Sequence, residues 1–274
     1  MSFKYSILTT AYKSDKYLKK YFNSIIRQTI YPNEIVIVDD TNNNKLIKFV
    51  RNIKKKYNLK IKVIKNKVNI GPCKSLNKGI KSIKNNLILR LDVDDEWRRD
   101  HVENLRNLYE NDKSFLIYAY SLKNEGIKNW IKCDDFFINE NSTIHSSWMI
   151  NRNINKNFIY LLEDPVIAME DYYTLMGVIL VGYKIKIHYN KTIKYNINLG
   201  SHGNKYKNSI VASNYKKIIA RKLFNYNYKV FREKIKLSRN FFSYLLFVKK
   251  FKLIKYLVYV FWTLDLLKIK KLFN

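Results

Sequence analysis

The chain has 274 residues, 47% of them hydrophobic, so it is long enough to bury a full core and too apolar to be a disordered protein. Its 52 Lys and Arg against 22 Asp and Glu give a formal net charge of +30, which favours ligands or surfaces that carry phosphate or other anionic groups. The chain is also crowded with Lys, Asn, Ile, Tyr and Phe, the residues of A/T-rich codons, so drift in base composition explains part of this excess.

Strand patterns and helix patterns alternate along the first part of the chain. Short apolar runs predict strands, and apolar residues at helical spacing predict helices. The predicted strands cover 5–10, 34–38, 61–64 and 87–91, and the predicted helices between them cover 17–26, 44–57 and 74–83. This alternation predicts an α/β fold with a parallel, doubly wound sheet and right-handed crossovers.

Polar side chains gather at the ends of three of these predicted strands. They are Thr10, Asp39, Asp40, Asp92, Asp94 and Asp95. In open α/β sheets ligands bind beyond the carboxyl ends of the strands, so these residues predict one site. Carboxylates this close raise one another's pKa unless a positive group neutralises them, and Mg²⁺ or Mn²⁺ is the economical candidate. The alternative is a strand that runs into an acidic, solvated turn. The chain has neither a P-loop nor a GxGxxG fingerprint, which disfavours an ATPase or a nicotinamide enzyme.

Several linked motifs carry a resemblance to a known family. In order they are SILTTAY at 6–12, SIIRQT at 24–29, EIVIVDD at 34–40, NIG at 69–71 with NKGI at 77–80, and LDVDD at 91–95. In this order and spacing they resemble the family 2 glycosyltransferases with the GT-A fold, over roughly the first 120 residues. The resemblance implies a Rossmann-like, mostly parallel sheet flanked by helices, and an enzyme that transfers a sugar from a nucleotide-sugar with inversion.

The resemblance also implies which residues bind the donor. The implied nucleotide-sugar site comprises Thr10, Tyr12, Asp39, Asp40, Asn77, Asp92 and Asp94. A divalent metal, Mn²⁺ or Mg²⁺, is implied at Asp94, with Asp92 or Asp95 assisting. A UDP-sugar is the donor that the family uses most often.

Three positions depart from the family's usual sequence. Lys13 stands where Asn is common, and Thr41-Asn42 stands where Gly-Ser often follows the paired aspartates. The family's Ala-Arg-Asn triplet is Ser75-Leu76-Asn77 here, so an arginine that can contact the diphosphate is absent. The neighbouring Lys74 either substitutes for it or is merely solvated.

The second half begins with an apolar strand predicted at 115–120, followed by an irregular polar stretch at 122–141. A strand-like segment at 143–150 then contains His145 and Trp148. This segment is similar to the one that floors the acceptor cleft in the family, which implies that both side chains lie near the acceptor or a phosphate. The alternative for His145 is an ordinary hydrogen-bonded structural histidine.

Glu170 and Asp171 open a predicted helix over 172–181. Acidic residues at a helix N-terminus are often there only for capping and for the helix dipole. The pair also sits where the family carries its Glu-Asp motif, and the resemblance implies that Asp171 is the general base, with Glu170 as the second candidate. A nearby acidic pair, Glu163 and Asp164, is predicted to lie on the surface.

A further strand is predicted at 183–189, and a loop containing two glycines follows at 198–204. Related enzymes have a mobile segment at this place that closes over the diphosphate. His202, with Lys205, is therefore implied to neutralise the leaving group. The alternative is a flexible polar loop without a function.

The predicted organisation is a GT-A catalytic domain over 1–207 and a basic, aromatic-rich helical extension over 208–274. Within the domain, 1–120 is the nucleotide-sugar-binding half and 121–207 the acceptor half. A basic helix with aromatic residues suits binding to an anionic membrane surface. Helices packed on the catalytic domain, with their lysines solvated, explain the same pattern.

Cysteine usage and hydropathy bear on the location of the protein. Cys73 and Cys133 belong to no CxxC pair or Cys/His cluster, so neither a disulfide framework nor a structural zinc is indicated. The N-terminus has no signal-peptide layout, and no uncharged apolar stretch is long enough to span a bilayer. These features predict a cytoplasmic protein, free or peripheral on the inner face of the membrane.

The sequence therefore predicts an inverting glycosyltransferase that adds a sugar to a hydroxyl of a surface glycan or lipid-linked acceptor. A catalytically silent glycan-binding or scaffolding domain with the same fold is one alternative. A nucleic-acid-binding protein would explain the charge, but the chain lacks the usual signatures, and its carboxylate cluster would repel phosphate, so no nucleic-acid partner is expected. A nucleotidyltransferase is disfavoured because its glycine-rich N-terminal loop is missing.

Overall fold

The computed structural model describes residues 3–41, 44–121, 143–160, 170–171, 174–175, 178, 183–189 and 192–194. Four α-helices are defined within these ranges: α1 (Leu18–Ile26), α2 (Lys45–Tyr57), α3 (Pro72–Ser82) and α4 (His101–Asn111). The strands of the same ranges are β1 (Tyr5–Ala11), β2 (Glu34–Asp39), β3 (Ile61–Lys65), β4 (Leu87–Arg90), β5 (Glu96–Trp97), β6 (Ile117–Ser121), β7 (Met149–Asn151), β8 (Ile185–Tyr189) and β9 (Ile193–Lys194).

Seven of these strands form one mixed sheet in the order β3-β2-β1-β4-β7-β6-β8. β1 pairs in parallel with both β2 and β4, β2 with β3, and β6 with β8, whereas β7 runs antiparallel to β4 and β6. The short strands β5 and β9 pair separately. The prediction of a mostly parallel α/β sheet flanked by helices is confirmed. The predicted helical extension over 208–274 lies outside the described residues.

The strands lie between two apolar layers because neighbouring residues of a strand face opposite sides of the sheet. In β1, Leu8 belongs to the cluster that also contains Leu76 of α3, whereas Ile7 belongs to the cluster that contains Phe22 of α1. Helix α3 approaches the sheet so closely that a Cβ on Gly79 would lie 2.4 Å from Leu8 Cδ1. The close approach of α3 to the sheet at this point therefore requires a residue without a Cβ.

The segment predicted as a strand over 143–150 is different in the structure. A single 3₁₀ turn occupies His145–Ser147, and only Met149–Asn151 forms a strand, β7. The Ser147 hydroxyl donates to the carbonyl oxygen of Ile144, a local bond that competes with strand pairing. The turn brings His145 and Ser146 beside the end of β4.

Helix α4 was not predicted, because its apolar residues are few and charged residues separate them. It follows Asp100 and buries Val102 and Leu105. No helix in the described part of the chain combines the length and apolar character needed to cross a membrane.

Candidate active site

The predicted site residues of the first half gather where the carboxyl ends of β1, β2 and β4 lie side by side. Because β1 lies between β2 and β4, the sheet order reverses at this point, which is where open α/β sheets bind ligands. Thr10 pairs with Val38 and Ala11 with Asp39 across the ends of the first two strands. Asp92 follows β4 at the same edge. The structure therefore brings together residues that are more than 50 positions apart in the sequence.

Asp40 is almost fully buried and forms a bridge from the end of β2 to the start of α3. Its Oδ1 accepts hydrogen bonds from Asn66 Nδ2 at 2.9 Å and from the backbone N–H of Ile70 at 3.0 Å. Its Oδ2 accepts one from the backbone N–H of Gly71 at 3.0 Å. These bonds orient the carboxylate and fix the loop between β3 and α3, which forms one wall of the site.

Asp39 is fully buried, and only one of its carboxylate oxygens is used within the described structure. Its Oδ1 accepts the backbone N–H of Thr41 at 3.0 Å, whereas Oδ2 has no hydrogen-bond partner among the described residues. A buried hydrogen-bond acceptor without a donor destabilises the folded state. This oxygen is therefore a candidate to accept a hydrogen bond from a ligand.

Tyr12 and Lys13 form the loop that leaves β1. The Tyr12 side chain is 46% exposed, and hydrogen bonding to Asn69, then to Lys13, lowers the pKa of its hydroxyl. Lys13 has a φ of 49°, in the left-handed region where Asn is much easier to accommodate than Lys. The Asn common at this position in the family therefore has a conformational reason, and Lys13 keeps the same backbone shape at some cost.

The acidic loop after β4 begins with an ion pair that the sequence analysis did not foresee. Arg90 is 1% exposed in β4, and its Nη2 donates to Asp92 Oδ1. Its Nη1 donates to the carbonyl oxygen of Leu8 at 2.6 Å. Burial alone would raise the pKa of Asp92, but Arg90, assisted by bonds from its own guanidinium and from Ser146, holds that pKa below its ordinary value. Arg90 therefore supplies positive charge that had been assigned to a metal alone.

Ser146, in the 3₁₀ turn, joins two of the predicted metal ligands. Its Oγ accepts the backbone N–H of Asp92 at 3.1 Å and lies 3.1 Å from Asp92 Oδ2. The same oxygen is hydrogen-bonded to Oδ2 of the buried Asp95. A hydroxyl has one proton, so it donates to one of the two carboxylates at a time. The carboxylates of Asp92 and Asp95 thus meet at a single hydroxyl.

His145 lies behind Asp92, with 10% of its side chain exposed. Its Nε2 lies 3.3 Å from Arg90 Nε and 2.8 Å from the Tyr160 hydroxyl, and its Nδ1 lies 3.9 Å from Asp92 Oδ2. Burial, and secondarily the Arg90 charge, lowers the pKa of His145 to about 3, so the ring is neutral at pH 7. Its role toward an acceptor or phosphate stays a prediction, but its contacts are with Asp92 and Arg90.

Trp148 and Asn77, both predicted to line the donor or acceptor site, face the core. The Trp148 ring is fully buried and stacks on Tyr160 at 6.3 Å between ring centroids. Asn77 accepts the backbone N–H of Tyr160 at 2.7 Å through Oδ1 and donates to the Tyr160 carbonyl oxygen at 2.9 Å through Nδ2. Both residues contact Tyr160, which in turn contacts His145, and their roles toward a ligand stay predictions.

Glu170 and Asp171 are helical and lie close enough to the β4 end to act on its charges. Glu170 Oε2 is buried and has no hydrogen-bond partner among the described residues. Burial and then the Asp171 charge raise the pKa of Glu170 to about 8; Asp92 raises it further, and Arg90 opposes the change. The structure thus brings the Glu-Asp pair and the Arg90–Asp92 pair to one site, across about 80 residues of sequence.

His202, the remaining predicted site residue, lies outside the described residues. Arg90, Ser146 and Tyr160 were not predicted from the sequence. One signal was available for Arg90: a charged residue inside a buried apolar strand requires a partner, and Asp92 is two positions away. Ser146 and Tyr160 carried no comparable signal, because their roles depend on the turn at His145–Ser147.

The donor atoms fit a divalent cation that shares its coordination with a ligand. Asp92 is 32% exposed and Asp94 is only partly buried, so neither side chain is closed off from solvent, and both carry the oxygen ligands that Mg²⁺ and Mn²⁺ prefer. No group of three or more His, Cys, Asp or Glu side chains in the described ranges is arranged to hold a metal. Such a set suits an ion held by one or two carboxylates and completed by phosphate oxygens rather than a closed protein cage.

The sheet order and the helices that flank the sheet define a domain with the GT-A fold. The chain belongs to glycosyl transferase family 2, whose model matches residues 6–169, and it is a transferase. It is 26% identical over 222 residues to an Escherichia coli UDP-Glc:α-D-GlcNAc-diphosphoundecaprenol β-1,3-glucosyltransferase. The aligned region covers 78% of this chain and 86% of the relative.

Two solved structures share the fold at low sequence identity. Staphylococcus aureus TarS 1–349 in complex with UDP-GlcNAc superposes with a TM-score of 0.56 at 20% identity, covering 80% of this chain and 66% of that chain. A Pyrobaculum calidifontis mannosyltransferase in complex with GDP-Man and Mn²⁺ superposes with a TM-score of 0.58 at 14% identity, covering 84% and 65%. The chain thus spans about two thirds of each solved chain, and these likenesses concern the fold alone.

Proposed function

We propose that this transferase moves a sugar from a nucleotide-sugar, a UDP-sugar by preference, to a hydroxyl of a surface-glycan or lipid-linked acceptor, with inversion. The observation that carries the proposal is the proximity of the Arg90–Asp92 ion pair and the acidic pair Glu170 and Asp171, which come from distant parts of the chain. Asp92, fixed by Arg90, marks the donor side, and Glu170 with Asp171 stands close enough to change its charge environment. An inverting transfer needs both halves: an anchored diphosphate and a base on the opposite side of the sugar.

The nucleoside would occupy the edge formed by the ends of β1 and β2. The buried Asp39 Oδ2, which has no donor among the described residues, supports a hydrogen bond from the nucleoside at this place. The exposed ring of Tyr12 offers a flat face beside it. Asp40 is held by the start of α3, so it would shape this pocket and keep Asp39 in position.

Asp171 would take the proton from the acceptor hydroxyl while that oxygen attacks the anomeric carbon. The new bond joins the acceptor oxygen to the anomeric carbon, and the bond from that carbon to the diphosphate breaks on the opposite face. Glu170, protonated at neutral pH because of its raised pKa, would then add no second negative charge beside the base.

The charge of the departing diphosphate also requires compensation. A divalent cation, when bound, supplies this by acting as a Lewis acid on the phosphate oxygens. Asp94 would hold it, with Asp92 or Asp95 assisting, since carboxylate oxygens are the ligands that such cations prefer. Arg90 is already paired with Asp92 and would not contact the phosphates directly.

Similar proteins support the choice of donor and acceptor. The name of the E. coli relative specifies a UDP-sugar donor and a diphosphoundecaprenol-linked acceptor, and the TarS structure contains UDP-GlcNAc. The mannosyltransferase structure contains GDP-Man with Mn²⁺, so both the nucleotide and the metal require a direct test in this chain.

Calorimetry on the full chain tests the proposed donor site. Binding of UDP, GDP and CDP is measured with and without Mn²⁺ for the wild type and for Asp94→Ala. We expect one nucleotide, UDP by preference, to bind only with Mn²⁺. Removal of one metal-binding carboxylate should weaken that binding at least about tenfold, which corresponds to about 1.4 kcal/mol.

Glu110→Ala is the matched control. Glu110 forms an exposed ion pair with Lys113, so this substitution removes the same charge at a place away from the site. This variant should bind as the wild type does. If the folded wild type binds none of the three nucleotides, the transferase mechanism proposed for this site is wrong. A silent glycan-binding or scaffolding role would then explain the fold better.

We further propose that the protein docks on an anionic membrane surface through residues 208–274. The charge of another part of the chain supports this, because residues 41–91 contain fifteen Lys and Arg, of which Arg90 is buried, and no Asp or Glu. Three of them, Lys54–Lys56, follow one another in the last turn of α2. A surface with one sign of charge is attracted to anionic lipid and would bring a lipid-linked acceptor close to the site.

Vesicle sedimentation tests this association with the full chain. We expect binding to vesicles that contain phosphatidylglycerol and none to pure phosphatidylcholine vesicles. Binding should be lost as the salt rises toward 1 M, where the Debye length falls from about 10 Å to about 3 Å. Equal binding to both kinds of vesicle at high salt would show an apolar rather than electrostatic attachment, and no binding to either would refute the proposal.

A further inference from the structure

Arg90 is the largest buried charge of the described structure that the sugar-transfer scheme leaves without a role. It is 1% exposed in β4, a strand whose other residues are apolar. A buried guanidinium is strongly unfavourable unless it has a countercharge and its N–H groups are hydrogen-bonded. The contacts of the Arg90 side chain therefore indicate its role.

Three donors of the guanidinium point in three directions. Nη1 donates to the carbonyl oxygen of Leu8 and Nε to His145 Nε2, both of which are neutral. Nη2 donates to Asp92 Oδ1, so the carboxylate of Asp92 is the direct ionic partner. The first two hydrogen bonds orient the guanidinium group of Arg90, and the third fixes Oδ1 of Asp92.

The tautomer of His145 follows from the same geometry. An arginine N–H can only donate, so Nε2 must be the unprotonated nitrogen of the neutral ring, and the proton resides on Nδ1. Nδ1 lies 3.9 Å from Asp92 Oδ2, too far for a hydrogen bond. The Tyr160 hydroxyl lies 2.8 Å from Nε2. Asp92 Oδ1 is thus held by Arg90, and Asp92 Oδ2 lies 3.1 Å from Ser146 Oγ.

The formal charges of the acidic loop show what this orientation does. Arg90 compensates the negative charge of Asp92 in an ion pair. A compensated carboxylate attracts a free divalent cation more weakly than an uncompensated one. A cation would then be held firmly only when phosphate oxygens complete its shell.

We propose that Arg90 is a positioning residue that makes cation binding at Asp92 and Asp94 dependent on the nucleotide. It does this by keeping Asp92 as half of a buried ion pair with one fixed orientation. The inference rests on the proposed function, since it concerns the donor site described above. Arg90 itself touches neither substrate nor cation and acts through Asp92.

The test measures Mn²⁺ binding to the full chain without nucleotide, from the electron paramagnetic resonance signal of free Mn²⁺. The variants are Arg90→Met, Asp92→Asn and the double variant Arg90→Met/Asp92→Asn. We expect Arg90→Met to bind Mn²⁺ alone about tenfold more tightly than the wild type, because one cancelled charge is restored. In the Asp92→Asn background the same substitution should change Mn²⁺ affinity less than twofold, because the residue acts through that carboxylate.

Two further variants separate charge from structure. Arg152→Met removes an arginine whose bonds go to the carbonyl oxygens of Ile83 and Lys156, and it should leave Mn²⁺ affinity unchanged. Arg90→Lys keeps the charge and should restore the weak binding of Mn²⁺ alone. Lysine cannot reproduce the three hydrogen bonds of the planar guanidinium group, so Asp92 would lose its fixed orientation and catalytic turnover should stay low.

Unchanged Mn²⁺ affinity in Arg90→Met would overturn the inference while leaving the donor site intact, provided the wild type binds nucleotide with Mn²⁺. If the wild type binds no nucleotide with Mn²⁺, the proposed function fails and the inference fails with it. If Arg90→Met does not fold but the double variant does, the unpaired carboxylate is the cause, which supports the coupling. If neither folds, Arg90 serves the fold alone and the inference is wrong.

Discussion

Asp171→Asn is expected to reduce sugar transfer by about 10²- to 10⁴-fold, the range typical for loss of a positioned general base. Asparagine has nearly the same shape as aspartate but cannot take the proton of the acceptor hydroxyl. Nucleotide binding with Mn²⁺ should change less than about threefold, since the donor is anchored at the other side of the site. The measurement is release of nucleoside diphosphate from the donor that calorimetry selects, with a GlcNAc-diphospholipid as acceptor.

Glu170→Gln is the matched control for this prediction, because it neutralises the adjacent carboxylate in the same helix. We expect it to retain transfer within about tenfold of the wild type at pH 7, where Glu170 is already protonated. If Glu170→Gln loses activity and Asp171→Asn keeps it, the base is Glu170, and the assignment made from the resemblance is wrong.

The fold, and the gathering of acidic residues at one edge of the sheet, could be predicted from the sequence. Alternating apolar runs and helical patterns give the order of the elements, and the parallel topology then places Asp39 and Asp92 at one edge. Local pattern suffices there because each strand is short, apolar and followed directly by its polar residue. The antiparallel β7 was harder to foresee, since most of its predicted strand forms the turn at His145–Ser147.

The interactions behind the site could not be predicted, because they depend on contacts across many residues. Arg90 and Asp92 are neighbours in sequence, yet only the turn after Ile144 shows that His145 and Ser146 complete the network. Trp148 lies in the core, and its role near the acceptor stays a prediction, because an aromatic residue has the same sequence signal in the core as beside a site. The charge state of Glu170 depends on its burial, which no sequence pattern reveals.

The pKa values of two carboxyl groups of the site are shifted in opposite directions by their surroundings. Asp92 is kept ionised by the buried Arg90, and its pKa is lowered. Glu170 has no hydrogen bond to its Oε2 among the described residues and has the charge of Asp171 beside it, so its pKa is raised. Carboxyl groups whose surroundings move their pKa values apart are typical of sites that need one fixed charge and one mobile proton.

Glu170→Gln should stabilise the protein at high pH and have little effect at low pH. In the folded state Glu170 keeps its proton up to about pH 8, whereas in the unfolded chain it ionises near its ordinary value of 4.5. The folded state therefore binds more protons between these two values, and stability falls as the pH rises through this window. Above it the full penalty remains, which we place at about 2–4 kcal/mol after allowing for partial solvation.

Thermal unfolding of the wild type and of Glu170→Gln, at about pH 5 and about pH 9, measures this difference. We expect similar melting temperatures at the lower pH and a higher one for the variant at the upper pH. Glu110→Gln, a substitution at the exposed ion pair with Lys113, should match the wild type at both. A gain for Glu170→Gln of the same size at both pH values would mean that Glu170 is already ionised at pH 5. The raised pKa, and with it the neutral neighbour assigned to Asp171, would then be wrong.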